Sequence, residues 1–581
     1  MFDLVIRNGT VVDGTGAPRQ IANISIEGNT ISAVGHDVGR GRKEIDASGL
    51  LVTPGWVDVH THFDGQVTWD PYLSPSCWHG VTTVVMGNCG VGFAPVRAGY
   101  QGRLINIMEG VEDIPGSALA EGIQWSWESF PEYLDAIAKR PLVMDVAAQV
   151  PHAALRAYVM EERGERNLDA EPHDIEQMSL LVRQAVEAGA VGFSTSRIQA
   201  HRAADGSVVP GSFVGAAEML ALADAVQAGG GGVFEIASDI EFQMPADWSD
   251  AAEFAWIAEI GKKAGVTATL ALVQNRTEPE KWRSILKSIE GARAQGSSIV
   301  AQVAPRPVGL FLGWESSVHI FRNRPAYEEI ASLPLAARVK RLRDPKVKAA
   351  ILSQRASKAT FEGLPELTFA TMFRLETDHG TLDYEPPPEK SIQALAARTG
   401  RDPSEIVYEI MMENDGTGYV WDAFVNYTDF NLDHVYDLLC SEASMVSLSD
   451  AGAHCGAICD VSMPTFLLTF WTRDRTRGPR FTVEQVVAMQ ARRTAEVYGF
   501  KDRGVIAPGM RADINLIDYE KLRLLPPKLV YDLPASGRRY IQHAEGYRAT
   551  IVGGVVTFED GESTGALPGQ LLRRVMKLED V

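Results

Sequence analysis

The chain has 581 residues, which suits one enzyme-sized domain plus a smaller one rather than a single simple domain. Hydrophobic residues make up 45%, enough for a large core, and 55 Lys plus Arg against 75 Asp plus Glu leave a formal charge of −20. That acidic balance argues against nucleic acid or an anionic membrane as the main partner; solubility alone accounts for it.

Taken in order, Leu4 to Val12 reads as a strand and Asp13 to Gly16 as a turn. Ile21 to Ile26 and Thr30 to Val34 form a small meander around Glu27-Gly28-Asn29. The apolar run Leu51 to Val57 then leads into Asp58-Val59-His60-Thr61-His62. From there strands and helices alternate. The strands are Val81 to Met86, Val143 to Val150, Ala190 to Phe193, Gly232 to Ala237, Val266 to Val273, Ser298 to Val303 and Met445 to Leu448. Helical spacing runs over Ile175 to Ala188, Ala216 to Gln227, Asp250 to Ala264 and Trp282 to Gln295. With the His60 strand this gives about eight strand-then-helix units, the pattern of an α/β fold, most simply a (β/α)8 TIM-like barrel.

Residues 305–444 are long for one connection. Helical stretches at Leu335 to Arg355 and Pro403 to Glu413 suggest a largely helical insertion over the barrel mouth, a lid. After the helix Val483 to Tyr498 the chain returns to short strands, Ile514 to Ile517 and Thr550 to Val556. These should pair with the N-terminal meander in one small β-sandwich. The expected division is 1–54 and 500–581 for the sandwich and tail, with 55–499 for the barrel. Arg573 to Lys577 reads as a short docking helix.

The five cysteines, Cys77, Cys89, Cys440, Cys455 and Cys459, are too sparse for a disulfide framework. Residues Met1 to Arg7 lack the regions of a signal peptide, and no apolar run reaches the roughly 18 residues of a membrane span. The expected setting is the cytoplasm.

Active sites of such barrels lie at strand C-termini. There the sequence places His60 and His62, Cys89, His152, Ser194 to Arg197 and Asp450. Residues i and i+2 of a strand share a side, so the two imidazoles can converge on one divalent ion. A cysteine can join as thiolate, and an aspartate beside the ion can carry a proton between water and a leaving nitrogen. Each has a plainer reading. Cys89 could be a small buried hydrophobe, and His152 could cap backbone groups. Ser194 could serve the start of the next helix. Arg197 could pair with an acid or with a substrate carboxylate. His454 could bind substrate or pack beside Cys455 and Cys459, whose spacing makes a poor zinc signature. Glu376, Asp378 and His379 read as solvated loop, or as a lid bringing His379 over the site. Trp69, Trp78, Trp125 and Trp127 read as packing.

The chain resembles the amidohydrolase superfamily, and within it the N-acyl-D-amino-acid deacylase (D-aminoacylase) group. The matching stretches are Asp3 to Gly14, Val52 to His62, Gly87-Asn88-Cys89-Gly90, Gly192 to Thr195, Ser449-Asp450 with His454, and Pro508 to Asp513. The resemblance implies zinc, one or two ions, or another divalent metal. It implies His60, His62 and Cys89 as ligands, Asp450 as ligand and catalytic carboxylate, and His152, Ser194, Arg197 and His454 toward substrate. The substrate would be a small amide, and the chain could self-associate. The family also places a metal-binding histidine at the ends of the fifth and sixth strands, and here Gly232 to Asp239 and Thr267 to Asn275 contain none. Either Glu235, Asp239 or Gln274 substitutes, or one ion suffices, or the metal is lost. The single ion is favoured. The functions to weigh are hydrolysis of a non-peptide C–N bond, as in an N-acyl amino acid; hydrolysis of a cyclic amide or lactone; and metal-free binding or scaffolding.

Overall fold

The computed structural model describes residues 1–241, 248–358, 366–376 and 382–574. Eight parallel strands follow one another around a curled sheet of the TIM-barrel type. They are β1 (Trp56–Asp58), β2 (Val81–Met86), β3 (Asp145–Pro151), β4 (Gly192–Arg197), β5 (Gly232–Ser238), β6 (Val266–Ala271), β7 (Ile299–Val303) and β8 (Ser444–Val446). Each pairs with the next, and all but a few of their residues are buried. Burial on both faces is why the strands read as unbroken apolar runs rather than alternating ones. The ring meets itself just past the ends of β8 and β1. There Thr61 and Ala451 form a parallel bridge and the His62 N–H donates to the Ala451 carbonyl at 2.7 Å.

Helices α1 (Gln101–Glu112), α2 (Pro172–Glu187), α3 (Ala216–Ala228), α4 (Asp250–Ile260) and α5 (Lys281–Ala294) lie outside the ring. Local chemistry sets their starts. Pro172 occupies the first turn of α2, where no N–H is needed, and the Ser249 hydroxyl accepts from Ala252 N–H ahead of α4. Ser194 to Arg197, expected just past a strand, lie within β4, and the next helix begins only at Ala216. Ser194 therefore does not cap a helix.

The apolar run Leu51 to Val57 divides at Gly55. Leu51–Pro54 belongs to a second sheet and Trp56–Asp58 to the barrel. A side chain at residue 55 would meet Thr82 at 2.2 Å, so only glycine lets the chain pass from one sheet to the other. The second sheet has nine strands drawn from both ends of the chain. Phe2–Val11, Gln20–Glu27 and Thr30–Gly35 form one wing, and Ile514–Ile517, Tyr547–Val552 and Val555–Glu559 the other, with Leu51–Pro54 between them. Leu4, Ile6, Ile24, Val52, Ile514 and Ile551 form its core, separate from that of the barrel.

Between β7 and β8 the chain builds a body with its own core of Trp314, Phe321, Tyr327 and Tyr408. It is not purely helical. Val308–Gly313, Met372–Phe373 and Tyr419–Val425 form a three-stranded antiparallel sheet, and the stretch Leu335 to Arg355 is two helices interrupted before Pro345. The body touches the loops that follow β8 and β6: Phe311 N–H donates to the Ala457 carbonyl at 2.7 Å, and Asn426 N–H to the Gln274 carbonyl at 2.8 Å. Asp378, His379 and Val575 to Lys577 lie outside the described residues. Arg573, expected in a helix, is not helical; its guanidinium donates to the Ala188 carbonyl.

Candidate metal centre

His60 and His62 follow β1 by two and four residues, and both are buried. Their ring centroids stand 5.5 Å apart. Cys89 enters from the loop after β2, Gly87-Asn88-Cys89-Gly90, in a left-handed conformation with φ +53°. One donor atom from each of His60, His62 and Cys89 lies within 4.8 Å of the others, a grouping that could hold a metal ion. The Cys89 sulfur is 3.4 Å from His60 Nε2. Asp450, from the loop after β8, places Oδ1 3.3 Å from His60 Nε2 and 3.8 Å from His62 Nε2. Its side chain is 18% exposed against 2% and 1% for the two imidazoles, so it alone of the three reaches solvent.

The supporting bonds explain how the donors are aimed. His60 Nδ1–H donates to Gln302 Oε1 at 2.8 Å. That amide is itself oriented, since Gln302 Nε2 donates to Thr269 Oγ1 and Ser447 Oγ donates to Gln302 Oε1. An acceptor at Nδ1 leaves the lone pair of His60 on Nε2, facing Cys89 and Asp450. Behind Asp450, the Ser449 hydroxyl donates to Asp58 Oδ2 at 2.5 Å, tying the β8 loop to β1. The Cys89 loop is held by Asn88, whose side-chain amide donates to the Thr61 and Val85 carbonyls. Ser194 braces the same loop: its hydroxyl donates to the Gly87 carbonyl and accepts from Gly90 N–H.

Acids crowd this space. Burial pushes Asp64 and Glu235 up to about 7 and drives Glu112 well above the usual carboxyl range, with Asp450 adding to the last two. Burial, then Glu235, Glu112, Asp450 and Asp64, raise the Cys89 thiol. Burial holds His62 well below its ordinary range, with His60, His454 and His201 next to it in effect. A divalent cation would reverse these penalties, favouring thiolate and carboxylates and needing neutral imidazoles.

Of the residues weighed for the missing histidines, Glu235 alone joins the cluster. Its Oε2 accepts from Cys89 N–H at 2.9 Å, and its buried Oε1 has no hydrogen-bond partner among the described residues. Asp239 is bonded to Gln199 N–H, and Gln274 to Asn426, Thr428 and Asp429.

Two expected substrate contacts are occupied within the protein. His152 bonds Thr195 Oγ1 and Glu218 Oε1, both at 2.9 Å, and Arg156 pairs with the same Glu218. Arg197 pairs with Glu253 at 2.6 Å, donates to the Val214 carbonyl and lies over the Trp248 ring. Both are buried. His454 lies at the edge of the cluster, its Nε2 3.6 Å from Glu112 Oε2. Glu112 and Gln302 were not singled out from sequence. Gln302 had a signal, a lone amide inside the apolar strand Ile299–Val303. Glu112, the last residue of an ordinary amphipathic helix, had none.

The cysteines Cys77, Cys89, Cys440, Cys455 and Cys459 are free thiols. Trp125 and Trp127 pack against Phe93 and Tyr133, and Trp78 stacks on His543, in keeping with a packing role.

Fold and site together describe a parallel (β/α) barrel with a donor cluster that could hold a metal ion past its strand C-termini. The chain belongs to the amidohydrolase family, whose profile matches residues 43–558. It is 35% identical over 195 residues to a D-aminoacylase of Alcaligenes xylosoxydans xylosoxydans, covering 33% of this chain and 37% of that one. It is 31% identical over 319 residues to an N-acyl-D-glutamate deacylase of the same organism, covering 53% and 57%. The alignments thus span from about a third to just over half of these curated relatives. An uncharacterized protein of Mycobacterium tuberculosis aligns over 97% of this chain and 93% of its own, at 25% identity. Among solved structures, a D-aminoacylase superposes with a TM-score of 0.64 at 22% identity, covering 99% of this chain and 100% of that one. The N-acyl-D-glutamate deacylase of Bordetella bronchiseptica, complexed with zinc and a phosphonate inhibitor, gives 0.63 at 23% with the same coverage. These likenesses support the fold. Among the described residues no helix is long and apolar enough to cross a membrane.

Proposed function

We propose that the protein is a metal-dependent amidohydrolase that cleaves the amide bond of an N-acyl amino acid, the D-enantiomer by analogy with its relatives. The observation that carries this reading is the grouping of donor atoms from His60, His62 and Cys89, with the partly exposed Asp450 placing Oδ1 3.3 and 3.8 Å from the two imidazoles. The donor set fits zinc: two neutral imidazoles, a sulfur and a carboxylate are its usual ligands. His60, His62 and Cys89 would hold one ion, with Asp450 beside it. Bound there, zinc supplies Lewis acidity toward a carbonyl and makes water easier to deprotonate. Asp450 would take the proton of the attacking water at Oδ1 and pass it to the leaving nitrogen. Asp239 and Gln274 are bonded elsewhere and Glu235 Oε2 accepts from Cys89 N–H, which leaves few donors for a second ion and favours a single one. His454 is the remaining candidate for substrate contact; Ser194, His152 and Arg197 would act through the walls of the site.

The same reading takes the nine-stranded sheet as the small β-sandwich of residues 1–54 and 500–581, beside a barrel of 55–499 with 305–444 as its lid. A cytoplasmic setting goes with it.

The test is metal analysis of the purified protein together with Asp450→Asn. About one equivalent of zinc should copurify, and the Asn protein should keep its fold while losing turnover of N-acyl-D-amino acids by at least about 10²–10⁴-fold. Unchanged turnover would remove the mechanism. A metal-free, inactive wild type would favour a binding protein, and preference for a cyclic amide over linear ones would move the substrate class.

A further inference from the structure

The second half of the histidine pair has an outer partner that is not on a barrel strand. Glu112 closes α1, and its side chain is buried. Oε1 stands 3.5 Å from His62 Nδ1, just outside the usual N–H···O range of about 2.7–3.2 Å. Both atoms are buried and have no hydrogen-bond partner among the described residues. Oε2 stands 3.6 Å from His454 Nε2. The main chain repeats the link, since the Glu112 carbonyl accepts from His454 N–H. The next residue locks the turn. Asp113 takes φ +51°, and its Oδ2 accepts from Ser317 Oγ at 2.5 Å and from Gly456 N–H at 3.1 Å. Glu112 is thus held from three directions: by its own helix, by the β8 loop, and through Asp113 by the body between β7 and β8.

We propose that Glu112 is a positioning residue of the metal centre. It faces the proton of His62 at Nδ1, so that Nε2 keeps its lone pair toward Asp450, and with its other oxygen it fixes His454 at the edge of the site. The inference rests on the metal-dependent reading above. It gives the two histidines different outer partners, a neutral amide for His60 and a carboxylate for His62. A carboxylate behind a metal-binding imidazole raises its basicity and fixes its orientation, and loss of such a partner typically costs 10–100-fold in metal affinity.

The experiment is Co2+ binding to the full-length apoprotein, followed by its visible absorption, in wild type and Glu112→Gln. The substitution keeps shape and removes charge. Affinity should fall about 10–100-fold and the cobalt bands should move. Affinity within twofold of wild type and an unchanged spectrum would overturn the proposal and leave the metal-dependent reading standing. A wild type that binds no cobalt or zinc would overturn both. Should the Gln protein not fold, ring-nitrogen NMR of zinc-loaded, ¹⁵N-histidine-labelled wild type decides, with His62 assigned from the signal lost in His62→Asn. A proton on Nδ1 supports the role of Glu112, and a proton on Nε2 overturns it.

Discussion

Single polar residues inside this molecule carry costs that depend on pH. His79 is fully buried, bonded to Thr465 Oγ1 and the Gln542 carbonyl, and burial lowers its pKa from 6.5 to about 4. Below pH 6.5 the unfolded chain takes up a proton that the native ring refuses. Stability from this group is therefore complete above 6.5, declines as pH falls toward 4, and then levels, a swing of at most about 3 kcal/mol. His434, buried beside Trp282 and lowered to about 3, adds with the same sign. Urea titrations across pH 4–7 should show His79→Gln with a shallower decline than wild type. An equal slope in the two proteins would contradict the assignment. At this scale the sequence was readable where chemistry sits in consecutive positions: His60, His62 and Cys89 stand just past strand ends, and Asp450 follows β8 in the same way. It was unreadable where a partner lies far along the chain. Nothing local tells that Glu218 on α3 occupies His152, or that Glu253 on α4 occupies Arg197.

At the scale of elements, the loop after β2 shows how backbone freedom serves the site. Gly87 has φ +82°, and a Cβ there would lie 2.4 Å from the Gln149 carbonyl oxygen of β3. The left-handed turn brings Cys89 back over the barrel, where Ser194 and Asn88 hold the loop. Gly87→Ala should cost roughly 2–4 kcal/mol, combining left-handed strain with overpacking against a backbone that cannot move. It should also weaken metal binding, because Cys89 shifts with the loop. Thermal melting and cobalt titration of the variant check both, and a melt within about a degree of wild type would contradict the packing argument. Helix and strand positions were legible to within a few residues because short unbroken apolar runs mark the buried strands and 3.6-residue spacing marks the helices between them. The sheet of Val308–Gly313, Met372–Phe373 and Tyr419–Val425 was not, since the first and last of these, which pair, lie more than a hundred residues apart and pairing leaves no local pattern.

For the molecule as a whole, the far end of the barrel is fastened by charge. Asp145, the first residue of β3, is fully buried. Its carboxylate binds Arg503 at 2.8 Å and Arg511 at 3.0 Å and accepts from Gln570 N–H at 2.9 Å. Three segments of the C-terminal region thus converge on one barrel residue. Removing one member of such a buried cluster leaves charge without a partner, so Asp145→Ala should cost about 3–5 kcal/mol. Denaturant midpoints measure this, and a loss below about 1 kcal/mol would mean that Asp502 and Asp513 suffice for the arginines.

Leu51–Pro54 has Phe2–Val11 on one side and Ile514–Ile517 on the other. During synthesis the early strands leave the ribosome more than 450 residues before the strand that completes their sheet. The barrel is then ready to close while those first strands still show an open edge, the state in which a chain is most exposed to mispairing. The nascent protein must hold that edge unpaired, or sheltered by a chaperone, until nearly its whole length has been translated.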